Sequence, residues 1–123
     1  MFTFNSPVIS ENVWKICFKS QEEMIKIYYE GREEEKKEKK EGMIEYISFT
    51  IYIDKDLDDA SLLKTLRKQL MRIYLWETGQ QDHMFTEEEF CDLNSVAAPL
   101  ICKTANEIAS RLKENGIRKE KKK

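Results

Sequence analysis

The side chains able to do chemistry are few and scattered. His83 is the only histidine, and it sits in the segment QQDHMF beside Asp82. The three cysteines, Cys17, Cys91 and Cys102, are widely spaced with no CxxC pair, so they read as small apolar side chains in a reduced protein and not as a disulfide framework or zinc knuckle. With Asp82, Cys91, Glu89 and Asp92 nearby in sequence, His83 offers one unorthodox donor set for a metal; an exposed loop histidine is the simpler reading. Glu87, Glu88 and Glu89 form an acidic run, but without the oxygen spacing of a calcium loop, and negative charge at a helix start is explained by the helix dipole. There is no Gly-rich phosphate loop and no GxSxG nucleophile turn.

Composition narrows the class. The chain has 123 residues, 41% hydrophobic and 36% charged, which allows one domain with its own core. Lys plus Arg number 21 and Asp plus Glu 23, for a net charge of -2, so bulk charge favours neither nucleic-acid binding nor DNA mimicry. No apolar run is long enough to span a membrane, and the N-terminus lacks the basic and apolar regions of a secretory signal, so a cytoplasmic setting is expected. Two blocks, residues 30–42 (EGREEEKKEKKEG) and 118–123 (RKEKKK), have no apolar residues to bury. The expected layout is one domain over 1–117, with a solvated charged excursion at 30–42 and a disordered basic tail at 118–123.

Hydrophobic periodicity supplies the elements that must position any site. In VWKICFKS, Trp14, Ile16 and Phe18 alternate with polar residues, which predicts a half-buried strand. SQEEMIKIYYEG has a Ser20 cap and Glu23 three residues on, a capping box, with Met24, Ile27 and Tyr28 at helical spacing. Residues 43–54 alternate through Ile47, Phe49, Ile51 and Ile53 and predict a single strand. Leu62, Leu63, Leu66, Leu70, Ile73 and Tyr74 then mark an amphipathic helix, capped by Asp58 or Asp59 and ended at Gly79. A last helix opens with a capping box at Thr86 and Glu89 and a staple of Phe85 on Phe90; it is interrupted or kinked at Pro99 and stops near Gly116. The order β, α, β, α, α predicts an α+β domain, a small sheet packed against two or three helices. Trp14, Phe49 and Tyr52 are assigned to the core or sheet surface. Tyr28, Tyr29 and Trp76 are the aromatics expected at an exposed contact patch.

The helix TLRKQLMRIYLWETG, with FTIYID before it and TEEEFCDLNSVAAPLI after it, resembles small phage- and prophage-encoded proteins of the zincin-like HExxH class. There a strand rich in Ile and Tyr leads into a helix of the form LRHELTHAFLFE, followed by a helix of the EExxCDF type. The likeness spans about residues 43–109. In that class two histidines at i and i+4 bind zinc, and the intervening glutamate is the general base. Aligned on Leu66-Arg67 and Tyr74-Leu75, those positions here hold Lys68, Gln69 and Arg72. Two protonated cations repel a dication, and an amide cannot shuttle a proton. The third-ligand positions, Glu89 and Asp92, keep carboxylates, which predicts an ion pair from Lys68 and Arg72 to Asp92 or Glu89 in place of the metal. Without a relation to zincins, Lys68, Gln69 and Arg72 are the wet side of an amphipathic helix.

The resemblance therefore implies no catalysis, no cofactor and no metal. It implies a phage-type protein kept for its surface, a stoichiometric inhibitor of a host protein such as an RNA-guided defence nuclease, in the manner of an anti-CRISPR. The acidic segments, Asp56, Asp58 and Asp59 with Glu87 and Glu88, suit the basic channel of such a nuclease. Two alternatives carry different expectations: a hydrolase with a metal on His83, Cys91, Asp92 and Glu89, or a homodimeric regulatory or toxin–antitoxin partner joined through its aromatic edge. Either a monomer or a homodimer is compatible with the chain, and no direct contact with nucleic acid or membrane is expected.

Overall fold

Alternating apolar residues and two well-capped amphipathic helices build a four-stranded sheet with helices packed on it. The computed structural model describes residues 2–30 and 38–117. In chain order the elements are β1 (Phe2–Asn5), β2 (Val13–Lys19), α1 (Gln21–Tyr28), β3 (Gly42–Glu45), β4 (Thr50–Asp54), α2 (Asp59–Glu77) and α3 (Glu87–Glu114). The sheet order is β1-β2-β4-β3. β1 and β3 are antiparallel to their neighbours, whereas β2 and β4 run parallel, with Ile16 opposite Ile51 and Phe18 opposite Ile53. This is the expected α+β class.

Register places Phe2, Phe4, Trp14, Ile16, Ile51 and Ile53 in one cluster, because alternate strand residues share a face. Against them α2 buries Leu62, Leu66, Leu70 and Ile73, and α3 buries Ala97, Ile101, Ala105, Ile108 and Leu112. Each large side chain removed from water contributes about 1.5–3 kcal/mol, so this layer is the main source of stability. Tyr52 and Met43 point to the other side of the pleat. There Gln21 fixes the start of α1: its Nε2 donates to Asp54 Oδ2 (2.7 Å) and to the Lys40 carbonyl, and its Oε1 accepts from Lys40 N (3.1 Å).

The caps follow the sequence closely. Ser20 with Glu23 and Thr86 with Glu89 both close capping boxes, and Asp58 is the N-cap of α2, accepting from Ser61 N at 2.8 Å. Gly79 and Gly116 take φ values of 72° and 68°, the left-handed conformation that ends helices.

Four local expectations change. Residues 43–54 form a hairpin, not one strand: β3 and β4 are separated by a turn at 46–49, Phe49 has φ 51°, and Ile47 is 96% exposed. The turn is held by Phe49 N donating to the Tyr46 carbonyl (3.1 Å) and Lys15 N to the Phe49 carbonyl (2.8 Å). Phe2–Asn5 adds an edge strand that a four-residue pattern is too short to announce. α3 is not interrupted at Pro99 but is one helix across it, with Ala97 and Ile101 on either side buried in the core. Phe90 stays 56% exposed, while Phe85 turns its ring to His83, with centroids 4.6 Å apart. Most of the charged excursion (31–37) and the tail (118–123) lie outside the described residues.

Candidate functional site: a basic cleft at the edge of the sheet

The positions aligned with the HExxH motif fall on a cleft between α2 and β3. Lys64, Lys68 and Arg72 recur every four residues, so they form one row along α2, rising about 6 Å per step. Gln69 lies beside that row and is 0% exposed. Its Oε1 accepts from Arg72 Nη1 at 3.2 Å, while its Nε2 has no hydrogen-bond partner among the described residues. Such a buried donor costs about 1–3 kcal/mol until something accepts from it.

The opposite wall is β3, whose approach depends on Gly42. A Cβ at that position would lie 2.6 Å from Thr65 Cγ2 and 2.9 Å from Gln69 Nε2. Glu41, just before the strand, accepts from the Thr65 hydroxyl at 3.3 Å. The cleft encloses about 580 Å³ and also reaches Tyr28, Lys39, Lys40, Glu45 and Tyr52. Lys40 Nζ stands 4.2 Å from the centre of the Tyr28 ring. Burial pushes the Tyr52 phenol above its ordinary range, and the Glu45 carboxylate adds to the shift. Five cations against two carboxylates leave the lining positive. Among the described residues neither Lys64 nor Lys68 is in an ion pair.

The ion pair expected across to α3 is not formed. Lys113 Nζ lies 3.5 Å from Asp59 Oδ2, which places the end of α3 beside the start of α2. The two helices are therefore antiparallel, and the start of α3 lies toward the far end of α2. Glu89 is engaged there, accepting from Thr86 N (3.1 Å) with His83 Nε2 3.0 Å away. These hydrogen bonds, the backbone one first, hold the Glu89 carboxyl below its ordinary range. Asp92 is exposed, and Lys68 and Arg72 turn toward β3 because Leu66, Leu70 and Ile73 take the inner face.

Zinc does not fit the aligned residues. Lys68, Gln69 and Arg72 present N–H groups where a metal needs lone pairs. Among the described residues no three His, Cys, Asp or Glu side chains gather as a ligand set, so His83, Cys91, Asp92 and Glu89 do not form the alternative centre.

The other expected contact residues separate. Trp76 is half-buried in an aromatic cluster, its ring 5.9 Å from Trp14, 5.8 Å from Phe49 and 5.2 Å from Tyr46. Tyr29 is buried and takes the Glu38 N–H on its hydroxyl. Tyr29 therefore lies outside any exposed patch, Trp76 keeps a half-buried edge beside Gln81 and His83, and Tyr28 alone reaches the cleft. Asp56, Asp58 and Asp59 stand at the start of α2, and Glu87 and Glu88 at the start of α3. With Lys113 beside Asp59, Glu87 lies about 39 Å back along α3, so the two acidic groups stand at opposite ends and do not make one acidic face.

Sequence reasoning missed Lys64, Thr65, Gly42 and the role of Glu77. The row of Lys64, Lys68 and Arg72 was legible as an i, i+4, i+8 repeat; the approach of β3 was not, because no local pattern brings residue 42 to residue 69. Glu77 ends α2 as a polar hub, accepting from the Ser6 hydroxyl, from Asn12 Nδ2 (2.7 Å) and from Trp14 Nε1 (3.3 Å). Set against known protein families, characterised proteins and solved structures, the chain matches none.

Proposed function

We propose that this chain is a non-catalytic binding protein that acts by attaching stoichiometrically to another protein. The observation that carries this reading is the composition of the cleft at the HExxH-aligned positions: an exposed lysine, a half-buried arginine and a buried amide, all donors, facing an open strand edge. Such a set recognises an acceptor-rich surface; Lys68 and Arg72 offer neither a lone pair for a metal nor a base for a water, and the two carboxylates of the lining, Glu41 and Glu45, accept from Thr65 and Ser48. The zincin resemblance adds that the scaffold is of phage type, with a bacterial defence nuclease guided by RNA as the host target.

Titrating the purified protein into a guide-loaded nuclease of this kind tests the reading. The expected result is a complex by size-exclusion chromatography with light scattering, and inhibition of DNA cleavage that saturates at equimolar protein. Inhibition that continues to build with time at substoichiometric protein, as turnover would produce, overturns the non-catalytic reading. Neither complex nor inhibition overturns the choice of target.

A further inference from the structure

We propose that the cleft receives an acidic segment of the partner in extended conformation, added as a fifth strand on β3. The inference rests on the binding-protein reading above and names the chemistry of the bound segment.

Three observations converge. First, β3 is an edge of the sheet. Asp54 N donates to the Glu41 carbonyl (2.9 Å), so residues 41, 43 and 45 turn their backbone groups to β4, and alternation leaves those of Gly42 and Ile44 facing outward. An extended chain satisfies such groups by strand addition. Second, the cations beside that edge have a spacing suited to a strand. Lys64, Lys68 and Arg72 repeat at about 6 Å, and every second residue of a strand repeats at about 6.8 Å. From Lys64 to Arg72 the mismatch is under about 2 Å, within the reach of long flexible side chains. Carboxylates at alternate positions of the added strand would each meet one cation. Third, Gln69 Nε2 is buried, lacks an acceptor among the described residues and lines the same cleft. An added carboxylate or carbonyl supplies one.

Charge selects the occupant. A second copy of the chain, paired edge to edge through β3, would bring two such cation rows together, which disfavours self-association. Glu41 and Glu45 flank the strand, but Glu41 accepts from Thr65 and Glu45 from Ser48, and the lining remains net positive.

The test uses the whole chain and short fluorescein-labelled peptides, with binding read by anisotropy. The parent peptide alternates Thr with Glu. One control replaces Glu by Gln, and another keeps the composition but clusters the glutamates. Two further peptides carry N-methyl groups on alternate residues, one set on the Glu positions and the other on the Thr positions. The parent is expected to bind, with affinity falling as salt is raised. The Gln and clustered peptides should bind about tenfold more weakly or worse. One N-methyl set should abolish binding and the other leave it, because only alternate N–H groups of an added strand face the protein.

The variant K64E/K68E changes two exposed residues, and its thermal melt should match that of the parent protein; it should lose the alternating peptide. Equal binding of the alternating and clustered peptides overturns the proposal. So does equal tolerance of both N-methyl sets, or binding that K64E/K68E leaves intact. Nuclease inhibition undiminished in K64E/K68E also overturns this inference while leaving the binding-protein reading in place. Peptide binding with no nuclease inhibited removes the nuclease and leaves the strand site.

Discussion

Gly42 leaves room for Gln69 where β3 meets α2: a Cβ on residue 42 would sit 2.9 Å from the buried amide and 2.6 Å from the Thr65 methyl. Thr65 is branched at Cβ and stiff, so it gives way poorly. Gly42→Ala is expected to destabilise the fold by about 1–3 kcal/mol, the usual consequence of overpacking. Urea denaturation checks it: the midpoint should fall with no change of slope, and an unchanged midpoint would place β3 farther from α2.

Gln69 is a different kind of strain. Its Nε2 donor is buried without an acceptor among the described residues, while its Oε1 accepts from a half-exposed arginine that water can solvate instead. Removing an unpaired buried donor recovers its desolvation cost, so Gln69→Met should raise stability by about 1 kcal/mol. The same substitution should weaken binding of the acidic peptide. A loss of stability would mean that the amide has a partner.

Glu77 is where β1, β2 and the end of α2 are tied together. Truncation removes the acceptor of the Ser6 hydroxyl, the Asn12 amide and the Trp14 indole N–H at once, and one acceptor of the Ile9 N–H. Glu77→Ala should cost about 2–4 kcal/mol. Because Trp14 and Trp76 lie together at this point, tryptophan emission should shift to the red in the folded variant, which separates local loosening from global unfolding.

Both capping boxes predict a response to acid. The Glu23 and Glu89 carboxyls titrate below the ordinary glutamate range, in each case chiefly through a backbone N–H bond at the cap. A depressed folded pKa means that the contribution is present above the unfolded value and is lost as pH falls through the folded one. Between neutral pH and about pH 5 the caps should hold. Below that, amide signals of Thr86 and Glu89 should move together in an NMR titration. Thr86→Ala keeps the backbone N–H and should remove only the hydroxyl's share of the depression at Glu89, leaving the larger parts due to the residue-86 N–H and to His83.

Pro99 sits inside α3 without a backbone N–H to donate to the preceding turn, and its exposed side chain adds nothing to the core. Pro99→Ala is expected to stabilise the protein by about 1–3 kcal/mol, seen as a higher thermal midpoint. A lower midpoint would show that the ring itself is needed for packing.

The sequence by itself determined what depends on near neighbours. The caps at Ser20, Asp58 and Thr86 need only residues within three positions, and the stops at Gly79 and Gly116 need only a residue without a side chain. The apolar row of α2 follows from a 3.6-residue period, and the misfit of Lys68, Gln69 and Arg72 as zinc ligands follows from their identities. The reading of 43–54 as one strand failed because alternation is the same on both arms of a hairpin; the turn at 46–49 has no glycine or proline to announce it. Trp76 is half-buried where an exposed ring was expected, because its environment is set by Trp14 and Phe49, residues far from it in sequence. Tertiary structure alone decided which face of α2 meets β3, that Glu89 lies away from Arg72, and that Glu77 gathers four donors from the first hairpin. Those outcomes rest on antiparallel helix packing and on sheet order β1-β2-β4-β3, and both bring together residues far apart in sequence, which no local periodicity records.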